Sequence, residues 1–158
     1  MVRFKCRWFL VEFLPYEEPG SKTSVDDRPP LTTNDIRDEI RGSVIQNFGE
    51  HGWGSVGDSL NVKYYSPTTN ICIIRVAREP YRIAWGGITF VTAIKKQRCI
   101  PHVEHVSGTL KKVQLAAIQY NRVLVARLQA RSESGERRKQ ELEEYLEQAD
   151  KEIDSIDT

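Results

Sequence analysis

Cysteine is scarce in this chain, and the three present, Cys6, Cys72 and Cys99, lie far apart. An odd, widely spaced set with no Cys-x-x-Cys argues against a disulfide framework or a zinc site. Cys6 and Cys72 fall in apolar runs and read as small core residues. No apolar run is long enough to span a bilayer, and the N-terminus has positive charge but no apolar stretch or small-residue cleavage site of a secretory signal. An intracellular protein with no membrane role is expected. Net charge is nearly absent, +1 over 158 residues. That small number hides an imbalance: residues 131–158 hold five Lys/Arg and ten Asp/Glu, which leaves 18 basic and 12 acidic residues in 1–130. The body is therefore +6 and the tail −5. A basic body calls for an anionic partner, and an acidic tail can shield it from wrong ones; a soluble charged helix is the plainer reading of the tail. Catalytic machinery is missing as well: no nucleophile stands beside a base, and there is no metal-ligand cluster and no nucleotide loop. His102 and His105 lie on opposite faces of a predicted strand and do not chelate one metal easily. The chain itself is expected to hold no catalytic residue, metal or cofactor.

The most ordered pattern is the opening stretch, residues 1–13. Val2, Phe4, Cys6, Trp8 and Leu10 alternate with Arg3, Lys5, Arg7, Phe9, Val11 and Phe13. Strict alternation marks a strand whose side chains point to opposite faces of a sheet. Arg3, Lys5 and Arg7 are predicted to stand in a row on an open face, with both faces covered from Phe9 onward. Such a row is either solvated or covered by something anionic.

Prolines at 15, 19, 29 and 30 make residues 15–32 a long, variable surface loop. Thr32 or Thr33 then caps a helix to about Phe48, with Ile36, Ile40, Val44 and Phe48 on one stripe. Glycines from Gly49 to Gly57 end it, and Trp53 plugs a loop against the core. A hairpin follows: Leu60, Val62 and Tyr64 alternate, residues 66–70 turn, and residues 71–77 are apolar except for Arg75. Pro80 opens a helix over residues 80–94, where Gly86-Gly87 marks close helix packing. Residues 99–106 read as a fourth strand. A long helix over 109–130 is expected to bury Leu110, Val113, Ala117, Tyr120, Leu124 and Leu128. Ser107, Gly108 and Thr109 at its start cap it and permit close backbone approach; with Lys111 and Lys112 in the first turn they suggest a phosphate site.

The order strand, helix, strand, strand, helix, strand predicts an α+β fold, a ferredoxin-like or RRM-like split β-α-β-β-α-β sheet with an extra long C-terminal helix. Residues 1–130 form the α/β domain and 131–158 a charged tail, helical or disordered. The sheet carries two helices on one face; the other is open or partly covered by the third helix, and Arg3, Lys5, Arg7 and Lys63 can share it, with room for Arg75. Sheets of this shape often bind RNA. RNA-recognition motifs stack bases on aromatics of the third strand, but residues 70–77 here contain no aromatic. What remains is cationic contact with phosphates, which positions folded RNA without reading its sequence.

Several motifs resemble a known family. They are Met1-Val2-Arg3-Phe4-Lys5-Cys6-Arg7-Trp8, Val62-Lys63-Tyr64-Tyr65, Ile73-Ile74-Arg75-Val76-Ala77-Arg78-Glu79, Val106-Ser107-Gly108-Thr109-Leu110-Lys111-Lys112, and Asn121-Arg122. In this order they resemble the small α/β protein subunit shared by nuclear ribonuclease P and ribonuclease MRP, the fifth processing-of-precursor protein. Trp8 stands where the family pattern has tyrosine, and Asn70 where it has glycine. The loop 15–32 and the acidic tail lie outside the match.

The resemblance implies a non-catalytic subunit of a ribonucleoprotein whose RNA, with bound magnesium, is the catalyst. It implies removal of 5′ leaders from precursor tRNA and processing of precursor rRNA, in nucleus and nucleolus. No run of five or more basic residues is visible, so nuclear import would come with a partner. Implied partners are the catalytic RNA, a TIM-barrel-like protein subunit and the other proteins of the complex, with precursor tRNA touched indirectly. The expected RNA-binding set is Arg3, Lys5, Arg7, Lys63, Arg75, Ser107, Gly108, Thr109, Lys111, Lys112 and Arg122. Two other readings stay open. One is a small enzyme of similar fold that holds a phosphate ester with Arg75 and the 107–109 turn; the other is a module that touches only protein.

Overall fold

The computed structural model describes residues 4–16, 29–131 and 136–157. Arg3 and most of the predicted 15–32 loop lie outside them. Strand β1 (Cys6–Pro15) sits inside the sheet, pairing antiparallel with β3 (Ile71–Ala77) on one side and β5 (Gln97–Ser107) on the other. Strand β2 (Asn61–Tyr65) extends the sheet beyond β3, and the short β4 (Ala93–Ile94) extends it beyond β5. The order is β2-β3-β1-β5-β4, antiparallel throughout. Without β4 this is the strand order of the predicted split β-α-β-β-α-β arrangement.

Helix α1 (Thr33–Val56) starts at a capping box: Asp35 N–H donates to the Thr32 hydroxyl at 3.3 Å, and Thr32 N–H donates to the Asp35 carboxylate at 2.9 Å. Ile36, Ile40 and Val44 are buried on its inner stripe. Gly49, at φ 72°, ψ 179°, breaks the helix into two segments, so the predicted end near Phe48 is a kink. Helical structure resumes beyond it, and Trp53 lies there with the Arg37 and Arg41 guanidinium groups 6.0 and 5.6 Å from its ring centroid.

Helix α2 (Tyr81–Thr89) is shorter than predicted. The chain leaves it after Gly86-Gly87 and enters the β4–β5 hairpin, whose turn places Lys95 and Lys96 at φ 46° and 67°. Val91 and Ile94, assigned to the helix from their spacing, are buried after its end instead. The glycine pair does mark close packing. A Cβ on Gly87 would lie 2.3 Å from Val44 Cγ2, and one on Gly86 2.6 Å from Phe48 Cζ. Ser43 Oγ donates to Gly87 O at 2.7 Å across this contact.

Two apolar layers sandwich the sheet. Phe9, Val11, Phe13, Cys72, Ile74 and Val76 pack with Ile36, Ile40, Val44, Ala84 and Ile88 of α1 and α2. Trp8, Leu10, Tyr64, Ile71 and Ile73 pack on the opposite side with Val113, Ala117 and Leu124 of α3 (Leu110–Arg131). Of the stripe predicted for α3, Leu128 alone is exposed. Helix α4 (Glu136–Asp154), the predicted tail, folds onto the second layer: Ala149 and Ile153 are buried, and Ile153 joins the Trp8 cluster. Full burial of such apolar side chains is worth roughly 1.5–3 kcal/mol each.

The sheet therefore has no open face where the predicted row of cations would stand. Its second face is the seat of α3 and α4 over β1 and β3, while Leu14 and the β5 residues Ile100, His102 and His105 stay exposed. The physical reason is the apolar stripe of α3, which needs a surface to cover.

Candidate nucleic-acid interface

Of the predicted cations, Lys5, Arg7, Arg75, Lys111 and Lys112 are held at the end of the sheet. Strand β1 begins there, β3 and β5 finish there, and α2 and α3 start there. Cross-strand partners set the placement: Arg7 is opposite Val76, while Trp8 is opposite both Arg75 and Ser107. Arg7 consequently belongs to the side of α1 and α2, and Arg75 to the side of α3. The expected common face for Lys5, Arg7 and Arg75 is corrected to a common edge formed by strand ends.

Arg7 is half-buried. Its guanidinium lies 5.9 Å from the Tyr81 ring centroid, and Nη1 donates to Cys6 O at 3.1 Å. The same Nη1 would lie 3.2 Å from a Cβ on Gly108. Glycine is thus what allows the guanidinium to rest on the backbone leading into α3. On the other side of the sheet Arg75 Nε donates to Cys6 Sγ at 3.3 Å, and its guanidinium lies 5.5 Å from the exposed Phe4 ring. Lys5 is exposed, and its carbonyl accepts from Arg78 N at 2.9 Å.

Ser107 is a positioning residue. It is buried, its hydroxyl donates to Thr109 O at 3.0 Å, and Thr109 N–H donates to that hydroxyl at 3.2 Å. This small hydroxyl turn sets the start of α3. Gly108, Thr109, Lys111 and Lys112 are exposed around it. Lys63 occupies a β-bulge in β2, where the register shifts between Val62 and Tyr64, and is half-buried. Arg122 lies farther along α3, roughly 16 Å from Lys111 at 1.5 Å per residue. Lys111 and Arg122 are paired to α4, with Asp154 at 3.2 Å and Asp150 at 2.8 Å.

The structure adds Arg78, Tyr81 and Arg82, which sequence reading passed over. Arg82 lies 6.0 Å from the Tyr81 ring centroid, and its Nε donates to the Tyr81 hydroxyl at 3.4 Å. That hydrogen bond is the first cause of a lowered Tyr81 pKa, and it raises that of Arg82. Tyr81 is thus attended by two guanidinium groups, from Arg7 and Arg82. The signal was available: Arg78-Glu79-Pro80-Tyr81-Arg82 interleaves cations with an aromatic where a strand hands over to a helix. Lys5, Arg7, Arg75, Arg78, Arg82 and Lys112 make no ion pair with a carboxylate of the described residues. An unneutralised cluster of this kind attracts polyanions and orients poorly toward anything else.

Thiol chemistry is disfavoured at buried Cys72 and half-buried Cys99. Desolvation pushes the Cys72 thiol far up and that of Cys99 to about 11. Among the described residues no group of three or more His, Cys, Asp or Glu is placed to hold a metal ion, and no helix is long and apolar enough to cross a membrane. Arg75 and Ser107 flank Trp8 two strand spacings apart, roughly 10 Å, and the Ser107 hydroxyl is already bonded within its own turn. They do not converge on one phosphate ester.

The chain is 40% identical over 124 residues to the ribonuclease P/MRP protein subunit POP5 of Schizosaccharomyces pombe, covering 77% of this chain and 89% of that one. It is 30% identical over 142 residues to the subunit of the same name from Homo sapiens, covering 87% and 83%. The fold matches a chain in the cryo-EM structure of yeast ribonuclease MRP with a TM-score of 0.51 and 12% identity, over 78% of this chain and 98% of that one. The Rpp14/Pop5 family model matches residues 7–118, from Arg7 through the first turns of α3, and the chain belongs to that family.

Proposed function

We propose that this chain is a non-catalytic protein subunit of ribonuclease P and ribonuclease MRP, and that it braces the catalytic RNA with the cationic end of its sheet. Membership of the Rpp14/Pop5 family and the names of its relatives support the assembly. The observation that carries the RNA contact is the grouping of Lys5, Arg7, Arg75, Arg78, Arg82 and Lys112 at one end of the sheet, without carboxylate partners among the described residues. Buried side chains fill most of both faces of the sheet and the third strand carries no aromatic, so contact with phosphates is what this geometry chiefly offers. Catalysis then belongs to the RNA and its magnesium. The complexes would trim 5′ leaders from precursor tRNA and process precursor rRNA in the nucleus and nucleolus, beside a TIM-barrel-like protein subunit.

The test is binding of structured RNA against salt. Each phosphate neutralised contributes roughly 0.7–0.9 to the log–log slope. Replacing Lys5, Arg7 and Arg75 by Ala should flatten the slope by roughly two units. An unchanged slope removes this end of the sheet as the RNA contact.

A protein-only role has one observation in its favour. Phe48, Trp85 and Phe90 on the α1–α2 side are 39%, 40% and 55% exposed, with the Phe48 and Phe90 ring centroids 6.4 Å apart. A protein partner that binds with no dependence on RNA or salt, and is lost on Phe90→Asp, would favour that reading.

A further inference from the structure

We propose that α4 is an internal occupant of a second RNA-contact surface. On this view the Asp150 and Asp154 carboxylates stand on α3 where RNA phosphates would stand, and RNA must displace α4 to reach Arg122 and Lys111. This rests on the RNA-bracing reading above and extends it to a surface that the folded chain covers.

Four observations lead there. First, two cations of α3 that would otherwise be available to phosphate are taken by carboxylates one helical turn apart on α4, Arg122 by Asp150 and Lys111 by Asp154. The cations lie eleven residues, about three turns, apart on one side of α3, and both side chains reach that single turn of α4. A carboxylate and a phosphate oxygen present the same acceptor to guanidinium and ammonium groups. Both pairs are partly exposed, with side-chain exposures of 63% and 25% for Arg122–Asp150 and 69% and 55% for Lys111–Asp154. Exposed pairs are weak and exchange readily for another anion.

Second, the neighbourhood of these pairs holds buried polar atoms that the closed arrangement leaves without partners. Asn121, beside Arg122 in the chain and fully buried, has neither its amide nitrogen nor its oxygen bonded, and the second oxygen of Asp150, Oδ1, is buried without a partner. Such groups oppose the state that buries them. Displacing α4 would return Asp150 to water.

Third, α4 is docked at definite points. Ile153 and Ala149 are buried, Gln114 Nε2 donates to Ile153 O at 2.8 Å, and the Tyr145 hydroxyl bonds to Ser66 and Thr69 beside the β2–β3 turn. Its hold on the body is thus a small set of discrete contacts, which are made or broken with the helix as a unit.

Fourth, Glu143, Glu144 and Glu147 on the same helix are exposed, so the docked helix repels a polyanion from α3. A weak or stray RNA fails to lift it. One already anchored at the sheet end acts at high local concentration and can do so.

The experiment uses the full-length chain and a fluorescent RNA stem-loop. Asp150→Asn with Asp154→Asn keeps the helix but removes both stand-in charges; the double variant should bind the stem-loop roughly two- to tenfold more tightly than wild type, the range set by two exposed ion pairs. Glu143→Gln with Glu147→Gln makes the same change in net charge at exposed positions and should give less than half that gain. On saturation with RNA, amide hydrogen exchange in residues 139–154 should quicken while that in β1 and β3 holds. Equal gains from the two double variants, or exchange in α4 unchanged by RNA, would overturn the displacement. If binding to wild type weakens on Arg7→Ala while α4 stays protected, the sheet-end reading stands and only this inference is lost. If no variant binds the stem-loop, both are lost.

Discussion

The Tyr120 hydroxyl donates to the Glu12 carboxylate at 2.6 Å, tying the middle of α3 to the interior strand β1. Glu12 is the one charged residue in the apolar part of that strand, and it is 8% exposed. Burial first, and then this bond to a carboxylate, raise the Tyr120 pKa. Tyr120→Phe keeps the ring and leaves the carboxylate short of a donor. It should lower stability by about 1–3 kcal/mol, seen as a fall in the urea midpoint at unchanged slope. A midpoint within error of wild type would mean that water replaces the hydroxyl freely.

The α1–α2 contact tolerates no side chain at Gly87. A Cβ there would stand 2.3 Å from Val44 Cγ2, inside a layer where both partners are buried. Gly87→Ala should destabilise by about 1–3 kcal/mol through overpacking. Combined with Val44→Ala, it should cost less than the sum of the two single changes. Additive costs in a thermal or urea double-mutant cycle would contradict the close approach.

Asp35 makes stability depend on acid. Its carboxylate is held at about 2, from an ordinary 3.8, first by the Lys95 ammonium at 2.8 Å and then by the Thr32 cap. A lowered carboxylate pKa means that the unfolded chain takes up the proton first. The contribution is therefore complete above about pH 4 and disappears as pH falls through about 2. Asp35→Asn should flatten the stability–pH curve within that window. High salt should weaken the effect in the wild type, because the pair is at the surface.

Arg78 and Arg82 carry a separate expectation. If the sheet end meets phosphates, Arg78→Ala with Arg82→Ala should reduce the salt slope of RNA binding by roughly 0.7–0.9 for each phosphate lost. Stability should change little, since both side chains are exposed. Loss of affinity with an unchanged slope would point to a contact that is not electrostatic.

Much of the fold was legible because it rests on local patterns. Alternation in residues 1–13 marks β1, the i, i+4 stripe of Ile36, Ile40 and Val44 marks α1, and Thr32 marks its start. Asn70 shows how a departure can still be read. It sits at φ 55°, a conformation that suits glycine and, next, asparagine, and its side chain accepts from the Tyr65 hydroxyl at 2.9 Å. Asn70→Val should cost about 1–2 kcal/mol in a denaturation experiment, and Asn70→Gly much less.

What was hidden depends on contacts across the chain. The spacing of Val91 and Ile94 fits a helix as well as it fits a loop and a two-residue strand, so α2 was drawn too long. Periodicity in residues 136–154 shows a helix but does not show where its apolar stripe rests, so the docking of α4 stayed out of reach. For the same reason the sequence allows one face of the sheet to be open or only partly covered by the third helix, whereas α3 and α4 together occupy it. Arg7 and Arg75 were then assigned to a common face, although the ladder of β1 and β3 sends them to opposite sides. Arg78 and Arg82 were overlooked because their strand and helix meet the start of β1 only in three dimensions.

The stumps of separate strands carry these cations, so the ladder itself is their ruler. Neighbouring strands are about 4.8 Å apart, and the bulges at Leu10/Val11 and Val62/Tyr64 interrupt the regular pairing. A slip of one residue in β1 that put Trp8 in the place of Arg7 would send Arg7 to the place of Cys6, on the opposite side of the sheet. The charge map of this molecule is in that sense a record of hydrogen-bond registration. An insertion in the middle of β1 would redraw it without touching a single basic residue.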